Sequence, residues 1–331
     1  MHILGAVLLA ALLLLSTAYG TTSIPAADVL RAVFLGTGIV EGDMSPLHRI
    51  VFDLRLPRAL FAAVIGAGLG VVGVVLQTTT RNDLADPFLF GLSSGAAAGA
   101  VFVITVTGDI LGFWTLPLAA FSGGLIASGI VLGLVHSLRT SAPEKLILAG
   151  LAVSFLFAAI TNYLIFAGDS RAAHSIVFWM LGGLGLARWE TFPLVCAGLL
   201  LILCYAMYRG RWLDALLTGD LTASTLGVPV QRLRFAMFFT AALATAVFVS
   251  VAGVIGFVGL MVPHIARGIA GPMHRHLIPT AALVGAALLT GSDILSRLLL
   301  APQELPVGIV TTSLGSVFVF LLLYRTAGRR K

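Results

Sequence analysis

Long apolar runs separated by short polar breaks dominate the chain. Ten can be marked, at about 3–19, 59–77, 88–107, 111–135, 146–167, 191–208, 235–255, 256–271, 277–296 and 306–324. Most approach the ~20 apolar residues that a helix needs to cross a bilayer. The pattern predicts an all-α, polytopic membrane protein with about ten transmembrane helices, forming one membrane domain over residues 1–331. The eighth run is the weakest, being short, broken by Pro263 and continuous with the seventh. A polar segment of about 38 residues separates the first two runs. Residues 168–190 hold a short apolar centre, 176–181, that cannot cross and reads as a helix lying at the interface. No repeat with the period of a solenoid is visible.

Composition agrees. Of 331 residues, 59% are hydrophobic and 10% charged, against about 25% charged in soluble domains. Soluble globular, disordered and secreted disulfide-rich classes are thereby excluded. The 37 glycines suit close helix packing in lipid. Cys196 and Cys204 share one apolar run and offer neither a disulfide framework nor a metal motif. The first run lacks the preceding Lys or Arg of a signal peptide, so a retained helix is expected.

The net charge of +6 is mostly a topology signal. With the N-terminus inside, thirteen Lys and Arg fall in inner segments and seven in outer ones, while five acidic residues fall inside and nine outside. The positive-inside rule then places both termini in the cytoplasm. No basic patch with interleaved aromatics is present, so nucleic acid is not an expected partner.

Neither Lys145 nor Lys331 sits in a phosphate-binding G-x-x-x-x-G-K-[ST] loop, so ATP, if used, must be hydrolysed by another chain. The histidines show no metal-ligand spacing, and no metal is expected; His274 and His276 read as solvated residues of an inner loop. Gly91-Leu-Ser-Ser-Gly95 fits the nucleophile-elbow pattern, but a hydrolase needs a strand before it and His and Asp partners. Small-residue packing is the better reading, since Gly91, Gly95 and Gly99 recur every four residues, as do Gly66 with Gly70 and Gly129 with Gly133.

Four further segments carry information. In Arg55-Leu-Pro-Arg58, two arginines at an outer helix end serve either as headgroup anchors or as a docking site for an outside partner's carboxylates. The stretch Gln77-Thr-Thr-Thr-Arg81-Asn82-Asp83-Leu84-Ala85-Asp86-Pro87 breaks two helices inside, and Asp86 before Pro87 signals a helix start. Residues 209–234 hold a predicted short helix that Asp220 can cap and that Gly227, in a left-handed conformation, can end. It could lie on the membrane or fit a partner's groove. Asp293 and Arg297, spaced i, i+4, can pair at the outer boundary.

Leu-Arg-Leu-Pro-Arg, Gln-x-x-x-Arg-Asn-x-Leu-Ala-Asp-Pro, Leu-Gly-Val-Pro-Val, Gly-Phe-Val-Gly-Leu-x-x-Pro-His-x-x-Arg and Glu-Leu-Pro-Val-Gly occur in this order between Arg55 and Leu323. Together they resemble the permease subunits of ATP-binding-cassette importers for iron chelates and vitamin B12. Asp83 stands where that family usually has Pro, Ser292 where Ala is usual, and Val317 where Pro is common. The resemblance implies an inner-membrane complex of two permease subunits (identical or different), two ATPase subunits holding ATP and Mg, and a periplasmic substrate-binding protein. No cofactor is expected on this chain. Arg55, Arg58 and Arg297 would receive the binding protein. Asp220, Leu221, Thr222, Ala223, Ser224, Leu226 and Gly227 would form the coupling helix within 209–234. Asn82, Leu84, Thr140 and Ser141 would narrow the inner gate, and Asn162, Thr311, Thr312 and Ser313 would line the path.

The leading expectation is import of a metal chelate, ferric siderophore first, with haem, cobalamin or an oxyanion such as molybdate as alternatives. An ion-coupled carrier would need carboxylates at mid-membrane depth, and the predicted helices hold almost none. An intramembrane hydrolase would rest on Ser93 or Ser94.

Overall fold

The computed structural model describes residues 2–20, 24–40, 42–137, 143–169 and 172–328. Helix α1 (His2–Ala18) precedes α2 (Ala26–Gly36) and the short α3 (Pro46–Arg49), which runs through a wide turn at Ile50–Arg55 into α4 (Leu56–Thr80). There follow α5 (Leu92–Phe102), α6 (Thr115–Ser137), α7 (Pro143–Ala167), α8 (Ala173–Met180), α9 (Phe192–Tyr208), α10 (Gly210–Leu216) and α11 (Asp220–Thr225). The chain ends in α12 (Val230–Ala252), α13 (Val258–Ala270), α14 (His274–Leu298) and α15 (Val307–Gly328).

Each of the ten apolar runs is helical. Among the described residues six helices are long and apolar enough to span alone, and α9 with α10, bent by 64°, makes a seventh. The first, third and eighth runs form shorter apolar helices, His2–Ala18, Leu92–Thr107 and Val258–Ala270. At 1.5 Å per residue the thirteen-residue α13 reaches only about 20 Å, so ten spans of full length is an approximation. The polar segment after α1 is more ordered than its composition suggests. Val29 and Ala32 of α2 bury against Ala18, Ile24 and Val51.

Helix α4 is the central post, apolar on all sides because neighbours cover all of it. Glycine makes this possible where backbones meet. A Cβ on Gly66 would lie 2.3 Å from the Gly285 carbonyl oxygen of α14, and one on Gly285 would lie 2.2 Å from that of Gly66. Gly95 and Gly123 repeat the arrangement between α5 and α6, at 2.4 and 2.2 Å. The expected small-residue packing at Gly66 and Gly95 is therefore present. Gly129 and Gly133 differ, since among the described residues nothing lies within 4 Å of a Cβ at either, and both are exposed.

The short helix expected within 168–190 is α8, whose Ile176 and Trp179 are buried. It docks on a break between α12 and α13. Gly253 takes φ 67° beneath the Trp179 carbonyl, Gly182 takes φ 69° against the Val254 carbonyl, and Gly183 N–H donates to Ala252 O at 2.8 Å. Side chains at Gly253 or Gly182 would be strained and would strike backbone. This break, with the start of α15, forms one wall of a cavity.

Candidate functional site

Three groups of residues lie at successive levels of the helix bundle, whose ends are called outer and inner by the orientation expected from the charge bias. At the outer end, Arg58 Nε donates to Asp293 Oδ1 at 2.9 Å and Arg58 Nη1 to Glu304 Oε2 at 2.6 Å. The expected Asp293–Arg297 pair forms at 3.0 Å. Arg297 also donates to Ser16 O, Tyr19 O and Ser16 Oγ, and Arg55 to Thr17 O and Ala18 O. These carbonyls lie at the C-terminal end of α1, beyond its last intrahelical bonds, where cations are favoured. The structure thus brings the three docking candidates together but engages each within the chain. Arg55 and Arg297 fasten α1, and Arg58 keeps 14% of its side chain exposed. Sequence reading missed the fastening, because carbonyl acceptors leave no trace in residue identity.

Towards the centre lies a cavity of about 530 Å³, lined by Leu84, Asp86, Phe88, Met180, Leu181, Val254, Gly256, Phe257, Leu260, Gly308, Ile309, Thr312 and Ser313. Thr312 and Ser313, expected on the path, line this cavity. Thr311 does not, being buried with its hydroxyl donating to Gly308 O. Asn162, exposed on α7, is not among the lining residues either. Phe257, at φ 67°, is one of the rare non-glycine residues in the left-handed region and packs on Gly315 of α15.

The loop after α4 closes the inner side of this cavity. Arg81 ends α4 in the left-handed region, and Asn82 Oδ1 accepts from Leu84 N–H at 3.0 Å, a side-chain turn that holds Leu84 at the cavity edge. Thr140 and Ser141 lie outside the described residues. Asp83, where the resembling family has Pro, accepts from Arg267 Nη2 at 3.0 Å, a bond that proline cannot make. Arg267 also donates to Gln77 Oε1, and Gln77 Nε2 donates to Gly259 O and Leu260 O. Asp86 caps the turn at Pro87–Phe90, Oδ1 accepting from Phe88 N–H at 3.0 Å. Its Oδ2 is buried with no hydrogen-bond partner among the described residues. That burial pushes the carboxyl up to about 6.

At the inner face α11 occupies the predicted helix position. Asp220 does not cap it; Gly219 precedes the first turn at φ 108° and offers no side chain. The Asp220 carboxylate instead accepts two bonds of 2.9 Å from Arg234. Gly227 ends the segment at φ 81° as expected, and Val228 N–H donates to Ala223 O. Ala223 is buried, while Leu221 is 86% and Leu226 66% exposed, so the helix turns its leucines outward.

His274 overturns the expectation of a solvated loop histidine. It begins α14 and is fully buried, with Nδ1 2.7 Å from Asp214 Oδ1 and Nε2 2.9 Å from Thr78 Oγ1. The sequence signal for a loop was polarity alone, and two partners from distant helices cancel it. Ser94, of the serine motif, donates to Gly91 O within its own helix. Among the described residues no group of three or more His, Cys, Asp or Glu could hold a metal ion.

Comparison with known proteins agrees with this architecture. The FecCD transport family matches residues 8–325. The cobalamin import system permease BtuC of Halobacterium salinarum is 39% identical over 303 residues, covering 90% of this chain and 79% of that protein. The hemin transport system permease HmuU of Yersinia pestis is 38% identical over 288 residues, 86% of each. A metal-chelate type ABC transporter solved in an inward-facing conformation superposes with a TM-score of 0.83 at 29% identity, covering 98% of both chains. The helix order, the glycine-welded core and a match spanning nearly the whole sequence lead to one conclusion: the chain belongs to the FecCD transport family of ABC importer permeases.

Proposed function

We propose that this permease carries a metal chelate into the cytoplasm as part of a complex with a second permease copy or homologue, two ATPase subunits and a periplasmic binding protein. The observation that carries the reading is α11, a short helix buried through Ala223 that presents Leu221 and Leu226 outward beside the gate loop. Exposed leucines on a short fixed helix suit a groove on a soluble partner. With the N-terminus inside, that partner is the cytoplasmic ATPase.

On the outer side, Arg58 and Glu304 form the accessible part of the arginine cluster, and binding-protein carboxylates dock there in competition with Asp293 and Glu304. The cargo class follows from the relatives, named for cobalamin and hemin. It favours a metal tetrapyrrole over the ferric siderophore expected first, since the motifs are shared by importers of all these cargoes. The cavity suits such cargo, being mainly apolar, with one carboxyl and two hydroxyls among its lining side chains.

The test is ATP-driven uptake by the assembled complex in liposomes, with labelled cyanocobalamin, haemin and a ferric hydroxamate compared at equal concentration. Saturable uptake of either tetrapyrrole, abolished without ATP, supports the reading. Uptake of the hydroxamate alone would restore the siderophore assignment. Uptake by the isolated chain without ATP would overturn the reading altogether.

A further inference from the structure

The inner end of α4 is held at two neighbouring residues by the segment that carries α11. In the first link, Asp220 of α11 grips Arg234 of α12 through two 2.9 Å bonds, and Arg234 Nε donates to the Thr79 carbonyl oxygen at 2.9 Å. In the second, Asp214 of α10 accepts from the His274 backbone N–H at 2.9 Å and meets its Nδ1 at 2.7 Å, while Nε2 faces Thr78 Oγ1 at 2.9 Å. Both intermediaries are buried, where little water competes and hydrogen bonds to charged groups are strong.

Two residues beyond Thr79, Arg81 turns the chain into the gate loop, where Asn82 fixes Leu84 at the cavity edge. A Cβ on Gly219, at the root of α11, would stand 4.0 Å from Arg81 Nη1. The path from α11 to the gate therefore consists of short, directional bonds, buried where Arg234 meets Thr79 and His274 meets Thr78 and partly exposed at Asp220 and Asn82.

We infer that Arg234 and the His274–Thr78 pair are positioning residues that transmit displacement of α11 to the inner gate through the last turn of α4. The inference rests on the reading of α11 as the ATPase-facing helix. A shift of α11 pulls on Asp220, Arg234 follows because its fork is held at both oxygens, and the Thr79 carbonyl moves with it. The second link keeps α4 from rotating about the first, since Thr78 points its hydroxyl to α14 while Thr79 points its carbonyl to α12. A single attachment would allow that rotation and dissipate the stroke.

The test reads gate motion without needing the cargo. In a C196S/C204S background, L84C reports on the gate by its rate of labelling with a membrane-impermeant maleimide, in the complete complex with and without ATP and vanadate. With both links intact, the two rates are expected to differ at least fivefold. In R234Q combined with T78V the ratio is expected to fall below twofold while ATP hydrolysis continues. T78S, which keeps the hydroxyl, should behave as the parent, and T78V alone should show an intermediate ratio.

A ratio in R234Q/T78V equal to that of the parent would overturn the inference, and so would no nucleotide dependence with both links intact. If R234Q fails to assemble, T78V against T78S decides the matter, because it removes one oxygen with little change of volume. L221D separates this inference from the reading beneath it. An ATPase subunit that still co-purifies with L221D refutes the role of α11, whereas loss of the subunit with an unchanged ratio in R234Q/T78V refutes only the links.

Discussion

Asp86 makes the energetics of the gate loop measurable. One carboxylate oxygen caps the turn that follows, and the other is buried without a donor, so ionisation is disfavoured and the carboxyl titrates at about 6 rather than 3.8. A folded-state value above the unfolded one means that the native state binds more protons between these limits, and stability falls as pH rises through them. The full span is worth about 3 kcal/mol at 1.36 kcal/mol per unit. Between pH 5 and 7.5, where the unfolded carboxyl is already ionised, the loss is about 1.4 kcal/mol.

D86N keeps an oxygen to cap Phe88 and removes the charge, so this pH-dependent loss disappears. Thermal unfolding of the purified protein in detergent, for both proteins at both pH values, isolates the term, because every other titrating group cancels in the double difference. At ~2–4 °C per kcal/mol, the wild type should lose about 3–5 °C more than D86N between pH 5 and 7.5. Parallel pH profiles would refute the reasoning and mean that Oδ2 finds a donor in solution.

Four further outcomes follow from the packing and the site. G285A places a Cβ 2.2 Å from the Gly66 carbonyl and should destabilise the fold by about 1–3 kcal/mol, as overpacking does. G129A, facing open space, should leave the melting temperature unchanged in the same assay. R58E should reduce binding-protein-dependent uptake at least tenfold while the ATPase rate of the assembled complex stays within twofold; unchanged uptake would remove the docking role. L221D should abolish co-purification of the ATPase subunit without altering the α-helical circular dichroism of the permease.

What the sequence could and could not disclose divides along a physical line. Apolar length is a local property. The ten runs therefore appear where the structure has helices, and the short eighth run is the short α13. Gly227 acts locally as well, through its own φ, and ends its segment as read. Where a residue's partner lies far along the chain, type alone misleads. His274 looked like a loop residue because nothing near it in sequence reveals Asp214 or Thr78. Asp220 looked like a cap because Arg234, fourteen positions on, was read only as an inside charge. The same holds for Arg55 and Arg297, whose acceptors are the carbonyls of α1.

The misread residues share a location and a chemistry. Each is a charged or titratable side chain at a helix end, bonded to another helix, and all but Asp220 are buried. In a bilayer a helix satisfies its own backbone except in its terminal turns, so unsatisfied groups concentrate at those ends, and long polar side chains from neighbours answer them. Arg55 and Arg297 answer α1 on the outer side, and Arg234 answers α4 on the inner side. These are the levels at which an importer must be held together and yet move. Glycine contacts such as Gly66 with Gly285 weld the middle of the bundle, where backbone touches backbone and leaves no room to slide. The polar fasteners at the two ends are bonds that can be exchanged for others of similar strength. If α11 drives the gate as proposed, the gate opens by trading hydrogen bonds at helix termini, with the core as its fixed pivot.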